Sequence, residues 1–399
     1  MNEIQTRAVA ERLSDRFTDL YGAEARSRAR LFFAPGRVNL IGEHTDYNGG
    51  HVFPCAISLG IWAMVAPSEA AETRLHSMNL DEHASCVVQP GCWVYDPARD
   101  WANYPLGVIQ TLREHGYLSG ALDAVFWGDL PNGAGLSSSA AIEVVTGLAC
   151  DSLFGFELER IDLALMCQKA ENRFIGMNCG IMDQFAVAMG REKCAILLDC
   201  ETLQHRYVPL ELGSCCLVLA NANKQHKLSD SAYNERRNSC EEALEDMRTA
   251  RPVVSLGSLS LGEFEELSPH IVSPVNFRRA RHAVTENQRT LQAVELLECG
   301  DLNAFGRLMR ASHESLRDDY EVTGPELDAL AELAWSQSGV VGARMTGAGF
   351  GGCTVNIVKG EAVKAFCSEV GAGYKKRTGR EASFYVAESG PGAREVPFA

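Results

Sequence analysis

Three consecutive serines, residues 137–139, follow a loop that is rich in glycine. An apolar run precedes this loop and paired apolar residues recur every four positions after it, which predicts a strand, a loop and a helix. Serine is favoured at a helix N-cap, and the unpaired N–H groups and positive dipole end of that helix attract an anion. We therefore expect the loop to bind a polyphosphate through Gly133, Ala134, Gly135, Leu136, Ser137, Ser138 and Ser139. A strand-to-helix turn that binds nothing would show the same pattern.

A second loop, residues 36–50, mixes charged side chains with glycines. Glu43, His44 and Asp46 fall within four positions of one another, and Arg37 lies near the start of the loop. Carboxylates accept hydrogen bonds from sugar hydroxyls, and an imidazole can donate or accept them. This polar density favours a polyhydroxylated ligand, with a generic surface loop as the alternative.

The length of 399 residues exceeds what one hydrophobic core usually supports, so the sequence predicts two domains. A net charge of −15 argues against a nucleic acid or an anionic membrane as partner. No apolar run approaches the length of a membrane span, and the N-terminus lacks the apolar segment of a signal peptide. The fourteen cysteines contain no Cys-x-x-Cys pair, so we expect free, buried thiols and a cytoplasmic protein.

The pattern of helices and strands changes around residues 200–212, and we place the domain boundary there, giving domains 1–205 and 206–399. Residues 3–21 are predicted to form a helix that stops at Gly22. A helix over residues 159–175 should turn Ile161, Leu165 and Phe174 inward. Residues 323–326, which begin with Thr323, fit a capping box that opens a later helix.

Near the C-terminus, Gly347, Gly349 and Gly352 have the Gly-x-Gly-x-x-Gly spacing of a dinucleotide site. A strand rather than a helix is predicted to follow them, so the context that a dinucleotide site requires is missing. This makes a two-domain oxidoreductase an unfavoured interpretation.

The loop at residues 36–50 resembles the signature of the galactokinase family. Residues 131–141 resemble the phosphate-loop motif of the superfamily that also contains homoserine, mevalonate and phosphomevalonate kinases, and residues 342–353 resemble its third motif. The resemblance implies a two-domain α+β sugar kinase. Its N-terminal domain would be like ribosomal protein S5, its C-terminal domain would be a ferredoxin-like α/β layer, and the active site would lie in the cleft between them.

The resemblance also implies roles for single residues. Trp101 and Tyr104 would line the adenine pocket, although two such aromatics are more often core. Asp183, in the Gly-Ile-Met-Asp-Gln segment, would face the reacting hydroxyl, whereas from the residues alone it could simply cap a helix. The implied sugar contacts are Glu43, His44, Asp46, Gly180, Asp183 and Tyr233. Ala222 and His226 stand where threonine and arginine are expected, which leaves the contacts of that loop open.

The implied reaction is phosphorylation of galactose by ATP at the C1 hydroxyl, the first committed step of galactose catabolism. Asp183 and Arg37 would be the catalytic pair, and Mg²⁺ would be held by Ser139 and Glu171. The expected form is a monomer whose partners are galactose and ATP. The alternatives are a kinase for a related sugar such as N-acetylgalactosamine or arabinose, and a silent regulator that binds sugar and ATP. Intact Arg37, Asp183 and serine-loop residues weigh against the regulator.

Overall fold

The computed structural model describes residues 3–118, 120–131, 133–224 and 229–398. The helices of these residues, in chain order, are α1 (Glu3–Arg28), α2 (Asn103–Glu114), α3 (Ser138–Phe154), α4 (Arg160–Ala170), α5 (Met182–Met189), α6 (Ser229–Arg248), α7 (Leu261–Leu267), α8 (Pro274–Glu298), α9 (Leu302–Asp318), α10 (Gly324–Trp335) and α11 (Val363–Thr378). The strands are β1 (Arg30–Asn39), β2 (His51–Val52), β3 (Pro54–Ser68), β4 (Thr73–Ser77), β5 (Ser85–Val88), β6 (Ala121–Gly128), β7 (Cys194–Asp199), β8 (His205–Pro209), β9 (Cys215–Asn221), β10 (Val340–Thr346), β11 (Cys353–Lys359), β12 (Ser383–Ala387) and β13 (Arg394–Val396). A π-helical turn, Glu171–Ile175, continues α4.

The strands form three sheets. The largest has the order β13-β1-β3-β6-β4-β5, and within it β4 pairs with β6 in parallel whereas the other neighbours are antiparallel. A sheet of order β2-β7-β8 lies in the same half of the chain. The sheet of order β10-β11-β9-β12 belongs to the second half, and β13 returns from the end of the chain to pair with β1.

The largest sheet is covered on both faces because successive side chains of a strand point in opposite directions. On β1, Leu31 and Phe33 pack in the cluster that contains Leu13 and Phe17 of α1. Phe32 between them belongs to the larger core that contains α3. This arrangement buries the strand that carries Arg37 on both sides and so fixes where its last residues point.

Helix α3 is confirmed where the sequence predicts it. Its apolar pairs Ala140/Ala141 and Val144/Val145 are fully buried, and it begins at Ser138, the second of the three serines. A helix that is apolar on nearly every side must lie inside the protein. The glycine-rich loop therefore ends at a helix whose position is set by the core.

The two halves of the chain meet at the glycine-rich loops. Gly347, with φ of 87°, lies so close to the phosphate loop that a Cβ there would come within 2.8 Å of the carbonyl oxygen of Gly135. Strand β11 follows this segment, so the predicted strand after Gly352 is confirmed. The third motif, residues 342–353, therefore packs directly against the phosphate loop.

Two local predictions are wrong. Leu165 is 36% exposed rather than turned inward, because it borders a shallow cavity beside α4. Thr323 makes no capping hydrogen bond, since its backbone is helical (φ −77°, ψ −57°) instead of extended as an N-cap requires. Glu326, the other half of the expected capping box, accepts a hydrogen bond from Lys224 instead, at 3.0 Å. The helix was predicted to stop at Gly22; Gly22 is non-helical (φ 88°, ψ 163°), but helix resumes after it and α1 ends at Arg28.

All fourteen cysteines are free thiols, but only Cys55, Cys150, Cys167, Cys240 and Cys353 are buried. The expectation of buried thiols therefore holds for five of the fourteen, while the others lie at least partly at the surface. Among the residues that the structure describes, no helix is long and apolar enough to cross a membrane.

Candidate active site

A cavity of about 200 Å³ opens at the start of α3. It brings together thirteen of the residues that the sequence predicts to be functional. These are Arg37, Glu43, His44, Asp46, Gly135, Leu136, Ser137, Ser138, Ser139, Glu171, Gly180, Asp183 and Tyr233. Of the remaining loop residues, Ala134 is buried and Gly133 is exposed, and neither lines the cavity. His226 lies outside the described residues.

The centre of the cavity is an ion pair between Asp183 and Arg37. Nε and one terminal nitrogen of Arg37 donate to the two carboxylate oxygens of Asp183, at 2.9 and 2.8 Å. The third guanidinium nitrogen donates to the carbonyl of Gly135 at 2.7 Å. The Arg37 side chain is 4% exposed and that of Asp183 is 28% exposed, so the carboxylate is the partner that faces the cavity. The pair ties the end of β1 to the first turn of α5 and to the phosphate loop.

Ser137 occupies the N-cap position of α3, but its side chain does not cap the helix. Its φ of 61° is left-handed, and its hydroxyl donates to Asp183 at 2.6 Å instead. The first backbone bond of the helix runs from the N–H of Ala141 to the carbonyl of Ser137. The amides of Ser138 and Ser139 therefore precede the helical hydrogen-bond ladder, as anion binding at a helix start requires.

Glu171 and Ser139 form an oxygen-rich corner of the cavity. The Glu171 carboxylate is buried, lines the same cavity as Ser139, and accepts a hydrogen bond from Nε2 of Gln184 at 2.5 Å. Burial, and after it the nearby charge of Asp183, raise the pKa of Glu171 to about 7, while the neighbouring donors Ser139, Cys179 and Gln184 act in the opposite direction. A carboxylate and a hydroxyl are hard oxygen ligands of the kind that Mg²⁺ takes. Within the described residues, no three His, Cys, Asp or Glu side chains form a metal cluster.

Asp46 and Gly180 form the opposite wall of the cavity. Gly180 lies so close to Asp46 that a Cβ there would overlap the carboxylate. Burial raises the pKa of Asp46 to about 6, with the charge of Asp183 as the second cause. The Asp46 carboxylate is thus held beside Asp183 in a partly desolvated setting.

His44 and Glu43 face the cavity with their polar atoms already engaged. Nε2 of His44 is 3.2 Å from the carbonyl of Ala348 and Nδ1 is 2.8 Å from the hydroxyl of Tyr47. A carbonyl only accepts, so Nε2 carries the proton, and burial lowers the pKa of His44 to about 3 and keeps the ring neutral. Glu43 accepts from the N–H of Gly347 at 2.6 Å and from Arg344 at 3.1 Å.

Helix α6 reaches the cavity from the second half of the chain. Its Tyr233 lines the cavity, with its ring centroid 5.6 Å from that of His44 and 5.4 Å from that of Tyr47. One turn later, Arg237 donates to the carbonyl of Asn178 at 2.9 Å. The cavity is therefore closed by both halves of the chain. Ala222, the other departure in this loop, is buried and lies outside the cavity lining.

A second cavity of about 290 Å³ adjoins the first and shares Ser138 and Ser139 with it. Trp101 and Tyr104 line this second cavity, and both also pack against the hydrophobic core. A place in the core and a place in a pocket wall are therefore compatible for these two side chains. The Trp101 indole donates to the carbonyl of His83 at 3.0 Å, which fixes the ring. Its apolar walls suit a flat heterocycle next to a phosphate site.

Sequence reasoning missed several residues here. Ser77 and Asn79 line the second cavity because β4 runs parallel to β6 and ends at the same edge as the phosphate loop. Nothing in the chain pattern announces that pairing. Gln184 is linked by hydrogen bonds to Glu143 and to Glu171. Gln184 is next to Asp183 in the sequence and Glu143 is one helical turn after Ser139, and these positions were the signals that could have indicated both residues.

Comparisons with known proteins agree with this geometry. Residues 15–67 match the family model described as the galactokinase galactose-binding signature, and residues 103–191 and 292–376 match the N-terminal and C-terminal domains of GHMP kinases. The protein is 51% identical over 385 residues to a galactokinase of Clostridium beijerinckii, covering 96% of this chain and 98% of that protein. A crystal structure of Lactococcus lactis galactokinase complexed with galactose superposes with a TM-score of 0.94 at 43% identity, covering 97% of this chain and 100% of that one.

The mevalonate kinase of Methanococcus jannaschii shares the fold alone, with a TM-score of 0.65 at 19% identity over 90% of this chain and 98% of that one. The fold and the site thus define a two-domain α+β kinase of the GHMP class, which confirms the predicted fold class. Within that class, the chain belongs to the galactokinase family.

Proposed function

We propose that the protein transfers the γ-phosphoryl group of ATP to the C1 hydroxyl of galactose and releases galactose 1-phosphate and ADP. The single observation that carries the proposal is the Arg37–Asp183 pair, which lies between the start of α3 and the Asp46 wall in one cavity. This arrangement supports a phosphate site at the start of α3 and a sugar site at the Asp46 wall, on either side of the acid. Membership in the galactokinase family supports galactose as the substrate.

The sugar is held on the Asp46 side of the cavity. Asp46 and Asp183 accept hydrogen bonds from hydroxyl groups, and the bare backbone of Gly180 leaves room for the ring. Glu43 accepts hydrogen bonds from Asn39 and Arg344 on Oε2 and from Gly347 on Oε1, and we assign the remaining lone pair of Oε1 to a sugar hydroxyl. His44 supplies the surface of its ring, because both of its nitrogens are already bonded within the protein. We assign the ring of Tyr233, which lines the same cavity, a packing contact with the sugar.

The nucleotide spans the two adjoining cavities. We place the adenine against Trp101 and Tyr104, and the phosphates at the free amides and hydroxyls of Ser138 and Ser139. Gly133, Ala134, Gly135 and Leu136 shape the loop that brings these groups into place. The serines shared by both cavities support this path from base to γ-phosphate.

Asp183 orients the C1 hydroxyl and receives its proton as the new bond forms. The C1 oxygen bonds to the γ-phosphorus, the bond from that phosphorus to the bridging oxygen breaks, and ADP leaves. A carboxylate is a weak base toward a sugar hydroxyl, and phosphoryl transfer has a loose transition state, so alignment and charge matter more than basicity. Arg37 fixes both oxygens of Asp183 and places positive charge where negative charge develops. Ser137 fixes the same carboxylate by its hydrogen bond.

Ser139 and Glu171 fit a magnesium ion, because a buried carboxylate and a hydroxyl that line the same cavity offer hard oxygen atoms beside the phosphate site. When bound, the ion neutralises charge on the β- and γ-phosphates. A divalent ion also favours the charged form of Glu171, whose pKa the protein alone holds near 7. Two protein ligands are enough, since Mg²⁺ keeps several waters and phosphate oxygens.

The remaining expectations stand as part of this proposal. We place the protein in the cytoplasm as a monomer without a nucleic-acid or membrane partner, as its charge of −15 supports. We place the boundary between its domains near residue 205; β8 begins there and still pairs with β7 of the first half, and β13 returns to the N-terminal sheet.

A coupled assay of ADP release tests the function across galactose, galactosamine, N-acetylgalactosamine and arabinose. We expect galactose to give the highest kcat/KM, and a higher value for another sugar would replace it as substrate. Asp183→Ala and Arg37→Ala should bind galactose yet lose turnover by orders of magnitude. Normal turnover in purified Asp183→Ala protein would remove the catalytic assignment, and an absence of turnover with every sugar would favour a regulator.

A further inference from the structure

Two buried polar side chains behind the phosphate site have no part in the mechanism above. Gln184 follows Asp183 on α5, and Glu143 lies one turn after Ser139 on α3. Both are 0% exposed. Buried polar groups that carry no function are costly, so side chains of this kind need an explanation.

Gln184 joins two carboxyl groups through a single amide nitrogen. Its Nε2 donates to Oε2 of Glu171 at 2.5 Å and to Oε2 of Glu143 at 3.1 Å. An amide nitrogen carries two hydrogens, so both are used. The three side chains form one chain of hydrogen bonds that reaches the Glu171 corner of the active site from behind.

Glu143 determines which way the Gln184 amide faces. The last torsion of a glutamine side chain is roughly two-fold, so the amide could present either its nitrogen or its oxygen to Glu171. With the oxygen forward, Glu171 would face an acceptor and lose the hydrogen bond from Gln184. Because Glu143 accepts the second N–H bond, the arrangement with nitrogen forward satisfies two carboxyl groups at once.

The Glu171 backbone gives a reason for this support. Glu171 begins the π-helical turn Glu171–Ile175, whose hydrogen bonding departs from that of a regular helix. Its carboxylate is therefore aimed by side-chain partners more than by helix geometry. Glu171 accepts a hydrogen bond from Gln184 at 2.5 Å and one from the Cys179 thiol at 3.6 Å, so Gln184 is the nearer donor.

The Glu143 carboxyl group acts as an acceptor toward the Gln184 amide. Burial raises its pKa well above the usual range, and the charge of Glu171 is the second cause. A glutamine at this position presents the same carbonyl oxygen, whereas a leucine has similar bulk and no acceptor. The cluster is also incompletely bonded, since Oε1 of Glu143 and Oε1 of Gln184 have no partner. Such a network adds little to stability, which favours a role in positioning.

We propose that Glu143 is a positioning residue that holds the Gln184 amide, and through it directs the Glu171 carboxylate toward Ser139 in the arrangement that takes the metal ion. This inference rests on the proposed function, because it assumes that Ser139 and Glu171 hold Mg²⁺. Partners that orient a metal ligand typically contribute about 10–100-fold in metal affinity or activity.

The test measures metal binding directly, with galactose binding as the control for folding. Free Mn²⁺ is titrated by electron paramagnetic resonance in the presence of a non-hydrolysable ATP analogue, for wild type, Glu143→Gln and Glu143→Leu. We expect Glu143→Leu to raise the Kd for Mn²⁺ by about 10–100-fold. Glu143→Gln should bind Mn²⁺ close to wild type, and the Kd for galactose, from calorimetry, should stay unchanged in both variants.

Mn²⁺ binding by Glu143→Leu equal to wild type would overturn the inference, as would an equal loss in Glu143→Gln. If Glu143→Leu fails to bind galactose, Gln184→Met carries the same comparison, because methionine keeps the length and removes both bonds. Glu171→Ala distinguishes a failure of the proposed metal site from a failure of the role of Glu143 alone. Unchanged Mn²⁺ binding in Glu171→Ala would remove the metal site of the proposed function, whereas weakened binding there with normal binding in Glu143→Leu would remove only the role of Glu143.

Discussion

A buried ion pair between Arg344 and Glu43 joins the two halves of the chain, and its removal should lower stability sharply. Arg344, on β10, is 0% exposed and Glu43 is 1% exposed. One terminal nitrogen of Arg344 donates to Glu43 at 3.1 Å and to the carbonyl of Asn39 at 3.2 Å, while Nε donates to Ser312 at 3.1 Å. Arg344→Met keeps most of the bulk and leaves the buried carboxylate of Glu43 without its cation.

The magnitude follows from burial. Removing one partner of a buried pair typically costs about 3–5 kcal/mol, because the other charge stays buried and unpaired. Each kcal/mol lowers the Tm of a domain of about 200 residues by roughly 2–4 °C. Arg344→Met should therefore melt about 6–20 °C below wild type in differential scanning calorimetry.

Two controls make this result specific. Arg7→Met makes the same change at an exposed pair with Glu11, where the side chains are 80% and 55% exposed. That variant should change the free energy of unfolding by less than about 0.5 kcal/mol. Combining Arg344→Met with Glu43→Gln should recover part of the lost stability, since no unpaired charge is left. An Arg344→Met protein that melts like Arg7→Met would refute the reasoning.

Three further outcomes follow from single contacts. Ser137→Ala removes the hydroxyl that donates to Asp183 at 2.6 Å. A hydrogen bond to a charged group contributes roughly 1.5–3 kcal/mol, so we expect kcat to fall by about 10–100-fold. The KM for galactose in the ADP-release assay should stay nearly constant. Gly180→Ala should raise the KM for galactose, because its Cβ would overlap Asp46, whereas Gly262→Ala, with open space at its Cβ, should leave the KM unchanged. Burial lowers the pKa of His282 to about 4 in the folded protein. As the pH falls, the unfolded chain is therefore protonated at His282 before the folded chain is. The contribution of neutral His282 to the unfolding free energy is complete above pH 6.5 and is lost as the pH falls toward 4. Urea titrations measure the unfolding free energies of His282→Gln and wild type at pH 8 and at pH 5. Between these two pH values, the difference between the proteins should shift by about 2 kcal/mol in favour of the variant. A difference that stays constant would contradict the lowered pKa.

The parts of the fold that the sequence predicted are those with strong local signals. Helix α3 has apolar pairs at helical spacing and starts at a serine cluster, so its position and its burial were both readable. The polar loop that carries Asp46 was readable because charged residues between glycines rarely form core. Leu165 was not, since an apolar residue at helical spacing can face a shallow surface cavity as well as the core.

The missing parts of the site depend on contacts between distant segments. Ser137 has the residue type of an N-cap, but its left-handed backbone and the nearby Asp183 redirect its hydroxyl. Ser77 reaches the second cavity only because β4 pairs in parallel with β6, a pairing made across 49 residues. Arg344 is 301 residues from Glu43, and no local pattern connects a buried arginine to its partner.

The central claim is that Asp183 and Arg37 flank the hydroxyl that is phosphorylated. A crystal structure with galactose and a non-hydrolysable ATP analogue measures this directly, through the distances from the C1 oxygen to the two side chains. The account predicts that the Asp183 carboxylate lies within about 2.6–3.2 Å of that oxygen and that the Arg37 guanidinium lies between it and the γ-phosphate. A C1 oxygen that both side chains reach only across more than one water molecule would contradict it.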